Sequence, residues 1–327
     1  MKILITGSAG FIGFHLAKEL LKYKHNVIGI DNFNNYYSKI YKQHRISILS
    51  SNKKFFFKRI DLKNKNAVDI LFKRLKPDII FHLASQPGIM YSFKNPKSYL
   101  KNNIYATKNI MQMARKHHVK KFYFTSSSSV YGNQKKFPIK ENQTLRPLNT
   151  YAKTKKKCEE ILLDFFKKTN VDLKIFRPFT VYGTYSRPDM IFISYLKRTY
   201  SKQEFYLYNN GNYIRDFTYV DDLCRVLRRF IKVGKIKNKI INICSSKPIK
   251  IKEILPIIDL YNSKKAKVIN KPIRKGEMTK TYGDNKLLNR YIKFEKFTHI
   301  ENGIKKTVNW YKNFKQKNIL DFKKIKY

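Results

Sequence analysis

On a helix, Tyr151 and Lys155 of Tyr151-Ala152-Lys153-Thr154-Lys155 lie one turn apart on the same face. A phenol beside an ammonium can move a proton. Free tyrosine titrates at about 10, and a neighbouring cation favours the phenolate, so such a tyrosine can act as a general base nearer neutrality, with Lys155 as the cation that lowers it. Spacing alone does not settle this, because a solvated face of a lysine-rich helix would carry the same residues. Ser127, in Ser126-Ser127-Ser128-Ser129, adds a third group. It precedes Tyr151 at a point from which its hydroxyl could share a substrate hydroxyl with the phenol. Read without that helix, the run is a serine-rich turn.

The first strand and the turn after it offer a place for a cofactor. Lys2-Ile3-Leu4-Ile5 reads as a buried strand and runs into Thr6-Gly7-Ser8-Ala9-Gly10-Phe11-Ile12-Gly13, after which Ile12, Leu16, Leu20 and Leu21 repeat at helical spacing. Glycines at such a turn let the backbone approach a pyrophosphate at the positive end of the helix, and Gly13 permits close packing of helix on strand. The second strand, Val27-Ile28-Gly29-Ile30, ends in Asp31, eighteen residues beyond Gly13. A carboxylate there can accept from both hydroxyls of an adenosine ribose, which favours NAD over NADP.

These groups need a scaffold that brings strand ends together. Further strands are expected at Phe55-Phe56-Phe57, Asp78-Ile79-Ile80-Phe81-His82-Leu83-Ala84, Lys121-Phe122-Tyr123-Phe124-Thr125-Ser126 and Leu173-Lys174-Ile175-Phe176, with helical segments between them. That alternation is the pattern of an α/β doubly wound parallel sheet, in which ligands bind beyond the carboxyl ends of the strands. Those ends carry Gly7, Asp31, Asp61, Ala84-Ser85-Gln86 and the serine run.

At 327 residues the chain can bury a sizeable core and is expected to form two lobes. Lys2 leads directly into a strand and no apolar run approaches the length of a membrane span, so a cytoplasmic protein without membrane insertion is expected. Cys158, Cys224 and Cys244 lack metal-like spacing, which points to free thiols and no metal site. The net charge of +48 comes from 70 Lys and Arg against 22 Asp and Glu. The lysines are scattered through nearly every helix and loop beside abundant Asn, Ile, Tyr and Phe, all residues with A/T-rich codons. Compositional bias at tolerant surface positions explains this better than a specific nucleic-acid site, although salt-sensitive polyanion binding would accompany it.

Taken in order, TGSAGFIG, GIDNFNNYY, FHLASQPG, SSSSVYG, YAKTK, RPFTVYG, RPDM and RDFTYVDD resemble the extended short-chain dehydrogenase/reductases over essentially the whole chain. The resemblance is specifically to the nucleotide-sugar epimerases, and among them to those acting on UDP-glucuronate. It implies an NAD-dependent 4-epimerase working through a transient 4-keto sugar. The implied architecture is a Rossmann-type NAD-binding domain over residues 1–172 and a smaller lobe over 173–327 that mainly binds the UDP-sugar, with part of the later chain returning to the first sheet.

The resemblance also implies residue roles. Gly7, Gly10 and Gly13 would meet the pyrophosphate, Asp31 the ribose and Asp61 the adenine. Tyr151 would be the base, Lys155 would hold the nicotinamide ribose, and Ser127 would orient the sugar 4-hydroxyl. Asn103 would support the site from a neighbouring helix. In the second lobe Arg215, and less directly Arg274, would bind the UDP diphosphate. Ser128, Ser129, Thr180 and Arg187 would restrain the sugar carboxylate, Arg187 through paired hydrogen bonds. Ser128 and Ser129 also stand where relatives that eliminate water or carbon dioxide carry acids. A homodimer is expected through helices around residues 100–117 and 151–168, with Leu162, Phe165 and Phe166 either as apolar contributors or, equally, as core residues. Met90, where an arginine is usual, together with Ser186 and Pro178, departs from the glucuronate pattern and keeps an uncharged UDP-hexose or UDP-N-acetylhexosamine open as substrate. A non-catalytic NAD-binding regulator is the alternative of a different class.

Overall fold

The computed structural model describes residues 1–316; residues 317–327, where the expected second lobe ends, lie outside the described residues. The chain as far as Pro178 supplies β1 (Lys2–Thr6), β2 (Asn26–Asp31), β3 (Phe55–Arg59), β4 (Ile79–His82), β5 (Lys121–Thr125) and β6 (Asp172–Pro178). The later half supplies β7 (Thr180–Tyr182), β8 (Phe205–Tyr208), β9 (Ile214–Tyr219), β10 (Ile240–Ile243), β11 (Pro248–Lys250) and β12 (Val268–Lys271). One seven-stranded sheet takes the order β10-β6-β5-β4-β1-β2-β3, and every pairing in it is parallel. This is the doubly wound Rossmann arrangement, with the order reversing between β1 and β4.

Both faces of a parallel sheet are covered, so its central strands are apolar on both sides. Alternation along each strand sends neighbours to opposite layers. Ile3, Ile5, Ile79, Phe81 and Tyr123 join Leu16, Leu20, Leu223 and Leu227 in one core, whereas Leu4, Ile80, Phe122 and Phe124 join Ile110, Ala114, Leu162 and Phe166 in the other. The first layer is built on α1 (Phe11–Lys22) and the helix Val220–Phe230, the second on the helices Ala106–Lys116 and Thr150–Lys167. Of the two readings open for them, dimer contact or core, Leu162 and Phe166 take the core one, because their side of the helix packs on β5 and β6.

A sheet of order β11-β9-β7, a β12-β8 pair and the helices Ile191–Ser201, Ile251–Asn262 and Ile300–Gln316 surround a separate aromatic-rich core. β10 belongs to the main sheet although it lies late in the chain. The sequence reading does not single out β10, a four-residue strand set among lysines.

Candidate active site

The register of the sheet brings Thr6, Asp31, His82 and Thr125 to one edge. His82 is fully buried, and burial pushes its pKa down to about 3, so the imidazole is neutral. Thr6 Oγ1 accepts from the Leu83 and Ala84 amides and therefore donates to His82 Nδ1 at 2.7 Å, which leaves Nε2 to donate to Thr107 Oγ1 at 2.9 Å. The chain directly after β4 is thereby tied to the end of β1.

Beyond Thr6 the glycine turn has the shape a diphosphate needs. Gly7 adopts φ +75°, and a Cβ on it would sit 2.9 Å from the Ala84 backbone; one on Gly13 would run into the Gly7 carbonyl. Gly10 precedes α1 without a side-chain cap, and the first turn of α1 carries no acid, so its amides and dipole are left for an anion. Asp31 Oδ2 accepts from Ala9 N at 3.2 Å and Oδ1 from Phe33 N at 2.8 Å, fixing the carboxylate at the cleft wall. Burial raises its pKa, against which Lys42 is the leading opposing charge. Asp61 is held by Asn32 Nδ2 at 3.2 Å. The residues present therefore fit NAD.

The helix Thr150–Lys167 starts under Asn149, whose side chain accepts from Ala152 N at 2.9 Å and donates to the Gly276 carbonyl at 3.0 Å in the other lobe. Asn103 lies in a π-helical turn, Leu100–Tyr105, that offsets the helix by a residue; it accepts from Gln86 N at 2.7 Å and donates to Thr154 Oγ1 at 2.9 Å, bracing the base of the site. Tyr151, Lys155 and Ser127 line one cleft. Ser127 Oγ accepts from Ser129 N at 3.2 Å and Ser129 Oγ at 2.9 Å, leaving its own proton for the Tyr151 oxygen. The net effect on Tyr151 differs from expectation. Burial raises its pKa, opposed by the Ser127 hydrogen bond and the charge of Arg187. The Lys155 ammonium is turned instead to the Thr125 carbonyl at 2.7 Å, and burial lowers its pKa to about 8.

Behind the serines is a network that the sequence reading misses. Glu159, one turn beyond Lys155, accepts from Ser126 Oγ and forms a buried two-point ion pair with Arg177 at 3.0 and 2.5 Å; Arg177 also donates to Tyr131 Oη at 2.9 Å. Glu159 at that helical spacing and a charged Arg177 within an apolar strand were the available signals.

The same cleft, of about 490 Å³, continues past Ser128 and Ser129 to Thr180, Arg187 and Arg215. Arg274 does not line it. Its guanidinium stacks 3.5 Å from the Tyr208 ring and reaches Glu277 at 3.3 Å, and Glu277 in turn lies 3.6 Å from Arg215. Met90 is also absent from the lining and is exposed. Arg187 is paired with Asp189, which also accepts from Tyr36 Oη at 3.1 Å. Tyr36 lines the cleft, whereas Asp189 reaches it only through Arg187 and Tyr36; neither was anticipated.

The family of NAD dependent epimerases and dehydratases matches residues 3–244. Protein CapI of Staphylococcus aureus is 35% identical over 97% of this chain and 100% of its own length. A UDP-glucuronate 4-epimerase of Thermodesulfobacterium geofontis is 34% identical over 94% of this chain and 95% of its own. Among solved structures, UDP-glucuronic acid 4-epimerase from Bacillus cereus in complex with UDP-glucuronic acid and NAD superimposes with a TM-score of 0.91 at 30% identity, covering 96% of this chain and 100% of that one.

Proposed function

Because the chain belongs to the NAD-dependent epimerase/dehydratase family, we propose that it interconverts UDP-glucuronate and UDP-galacturonate by inverting C4 through a 4-keto sugar. One observation carries this reading: a single cleft runs from Gly7, Gly13 and Asp31, past Ser127, Tyr151 and Lys155, to Thr180, Arg187 and Arg215. The similarity to UDP-glucuronate 4-epimerases at 34% and 30% identity supports the choice of sugar.

NAD, when bound, supplies a reversible hydride acceptor for the sugar carbon. The glycine turn would hold its diphosphate, Asp31 its adenosine ribose, Asp61 its adenine and Lys155 its nicotinamide ribose. Tyr151 takes the O4 proton as C4 becomes a ketone and returns it when C4 is reduced from the other face. Ser127 keeps O4 within reach of the phenol, and Arg215 neutralises the UDP diphosphate. Hydride and proton leave and return, so configuration inverts with no net oxidation. The 4-keto uronate is a β-keto acid that loses carbon dioxide when its carboxylate bond aligns with the ketone. Ser128, Ser129, Thr180 and Arg187 restrain that rotation.

A second reading, an uncharged UDP-hexose as substrate, is favoured by the pairing of Arg187 with Asp189 and by neutral Met90. We also assign the protein to the cytoplasm, because its three cysteines are buried free thiols and its ligands are water-soluble metabolites. Its assembly would be a homodimer formed across the exposed Leu100 and Tyr105.

Incubating the purified protein with a panel of UDP-sugars and resolving C4 epimers by chromatography tests the function. UDP-galacturonate should form from UDP-glucuronate faster than UDP-galactose from UDP-glucose. Epimerisation of none of them overturns the reading.

A further inference from the structure

Three successive carbonyls directly before Arg187 are each captured by a side chain of the dinucleotide-binding domain. His15 Nε2, on α1, donates to the Thr184 carbonyl at 2.9 Å. Arg45 Nη2, on α2 (Lys39–Ser50), donates to the Tyr185 carbonyl at 2.6 Å, and Tyr41 Oη, from the same helix, to the Ser186 carbonyl at 3.3 Å. The segment belongs to no helix or strand and passes through a left-handed residue, Tyr185 at φ +52°. Without these donors its carbonyls have no ladder to join, and an unmet buried carbonyl is costly.

Arg45 does more than fasten this segment. It is wholly buried, its Nη1 donates to the Ala9 carbonyl at 2.8 Å and to Tyr37 Oη at 2.6 Å, and its guanidinium stacks 4.2 Å from the Tyr41 ring. Ala9 lies inside the glycine turn, and its amide is held by Asp31. Among the described residues no carboxylate approaches Arg45 within ion-pair distance. A buried cation held only by carbonyls and phenols, with its Nε left unpaired, would be an expensive way to cement a core. Its two ends instead grip the loop that would receive the dinucleotide diphosphate and the loop that presents Arg187 to the sugar.

We propose that Arg45 is a positioning residue, assisted by Tyr41 and His15, that couples occupancy of the glycine turn to the placement of Arg187, so that dinucleotide and UDP-uronate bind cooperatively. This rests on the function proposed above. Coupling between two sites is reciprocal and typically amounts to roughly 5- to 150-fold in affinity; a single bridging side chain should lie near the lower end, about tenfold.

The test is binding of UDP-glucuronate and of plain UDP to the full-length protein, first stripped of copurifying dinucleotide and then measured with and without saturating NAD, for wild type, Arg45→Met, Arg45→Lys and Tyr41→Phe. In wild type, NAD should tighten UDP-glucuronate about tenfold and plain UDP much less, since Arg187 faces the sugar. Arg45→Met should close that gap, Arg45→Lys should restore part of it, and Tyr41→Phe, which keeps the ring and removes one hydrogen bond, should narrow it while thermal unfolding stays cooperative. If Arg45→Met fails to fold, Tyr41→Phe decides. An undiminished gap in Tyr41→Phe, or no gap in wild type, overturns the coupling. Wild type that turns over UDP-glucuronate yet shows no gap defeats only the coupling, whereas wild type that epimerises no UDP-sugar defeats the proposed function.

Discussion

Arg187 and Asp189 form two parallel hydrogen bonds, Nε to Oδ1 and Nη2 to Oδ2, each 2.9 Å long. The fork expected to grip a sugar carboxylate thus already holds a carboxylate of its own, and the sugar must use the remaining Nη protons or share the pair. If the sugar acid is read by Arg187, Arg187→Ala should reduce kcat/KM for UDP-glucuronate by roughly ten- to a hundredfold, the equivalent of one charge-assisted hydrogen bond. UDP-glucose turnover should change far less. Released 4-keto-pentose should rise, because the unrestrained carboxylate can align with the ketone. Equal losses on both sugars without added decarboxylation would favour the uncharged substrate.

Tyr151→Phe removes only the ionisable oxygen. Epimerisation should nearly vanish while titrations with NAD and UDP-sugar stay close to wild type. Near-normal turnover would exclude Tyr151 as the base.

Asp31, fixed by the amides of Ala9 and Phe33, should make NAD the dinucleotide that copurifies with the protein. Asp31→Ala should weaken NAD by about ten- to a hundredfold, as expected for hydrogen bonds to a charged group. Extraction and chromatography of bound dinucleotide checks the first statement; stoichiometric NADP would contradict it.

His82 links stability to pH. Its pKa is about 3 in the native protein against 6.5 for the free group, so between those values the unfolded chain holds a proton that the folded one does not. Its contribution is fully present above 6.5 and is lost as pH falls towards 3, by up to ~1.4 kcal/mol per pH unit. Urea unfolding of wild type and His82→Gln between pH 7 and 4.5 should therefore show the steeper decline in wild type. Parallel lines would mean that His82 accepts a proton in the fold.

Much of this was legible in the chain because local rules decide it. The Gly7 turn, the Asp31 strand end and the Tyr151-Lys155 spacing follow from strand and helix periods, and the apolar runs set the layers of the sheet. What could not be read depends on pairings distant in sequence. Leu162 and Phe166 lie on an apolar helical stripe that would suit a partner subunit as well as β5 and β6, and only the packing distinguishes the two. The Lys155 side chain lies on the anticipated helix face, but the choice between Tyr151 and the Thr125 carbonyl depends on how β5 ends. Arg45 looks like an ordinary cation on a lysine-rich helix until α2 is docked against the segment before Arg187.

The most direct measurement follows the C4 hydrogen itself. UDP-glucuronate deuterated at C4 should give UDP-galacturonate that keeps the label at C4, with Tyr151→Phe giving almost none. Product with the label washed out to solvent, or no UDP-galacturonate at all, would contradict C4 inversion by internal hydride return.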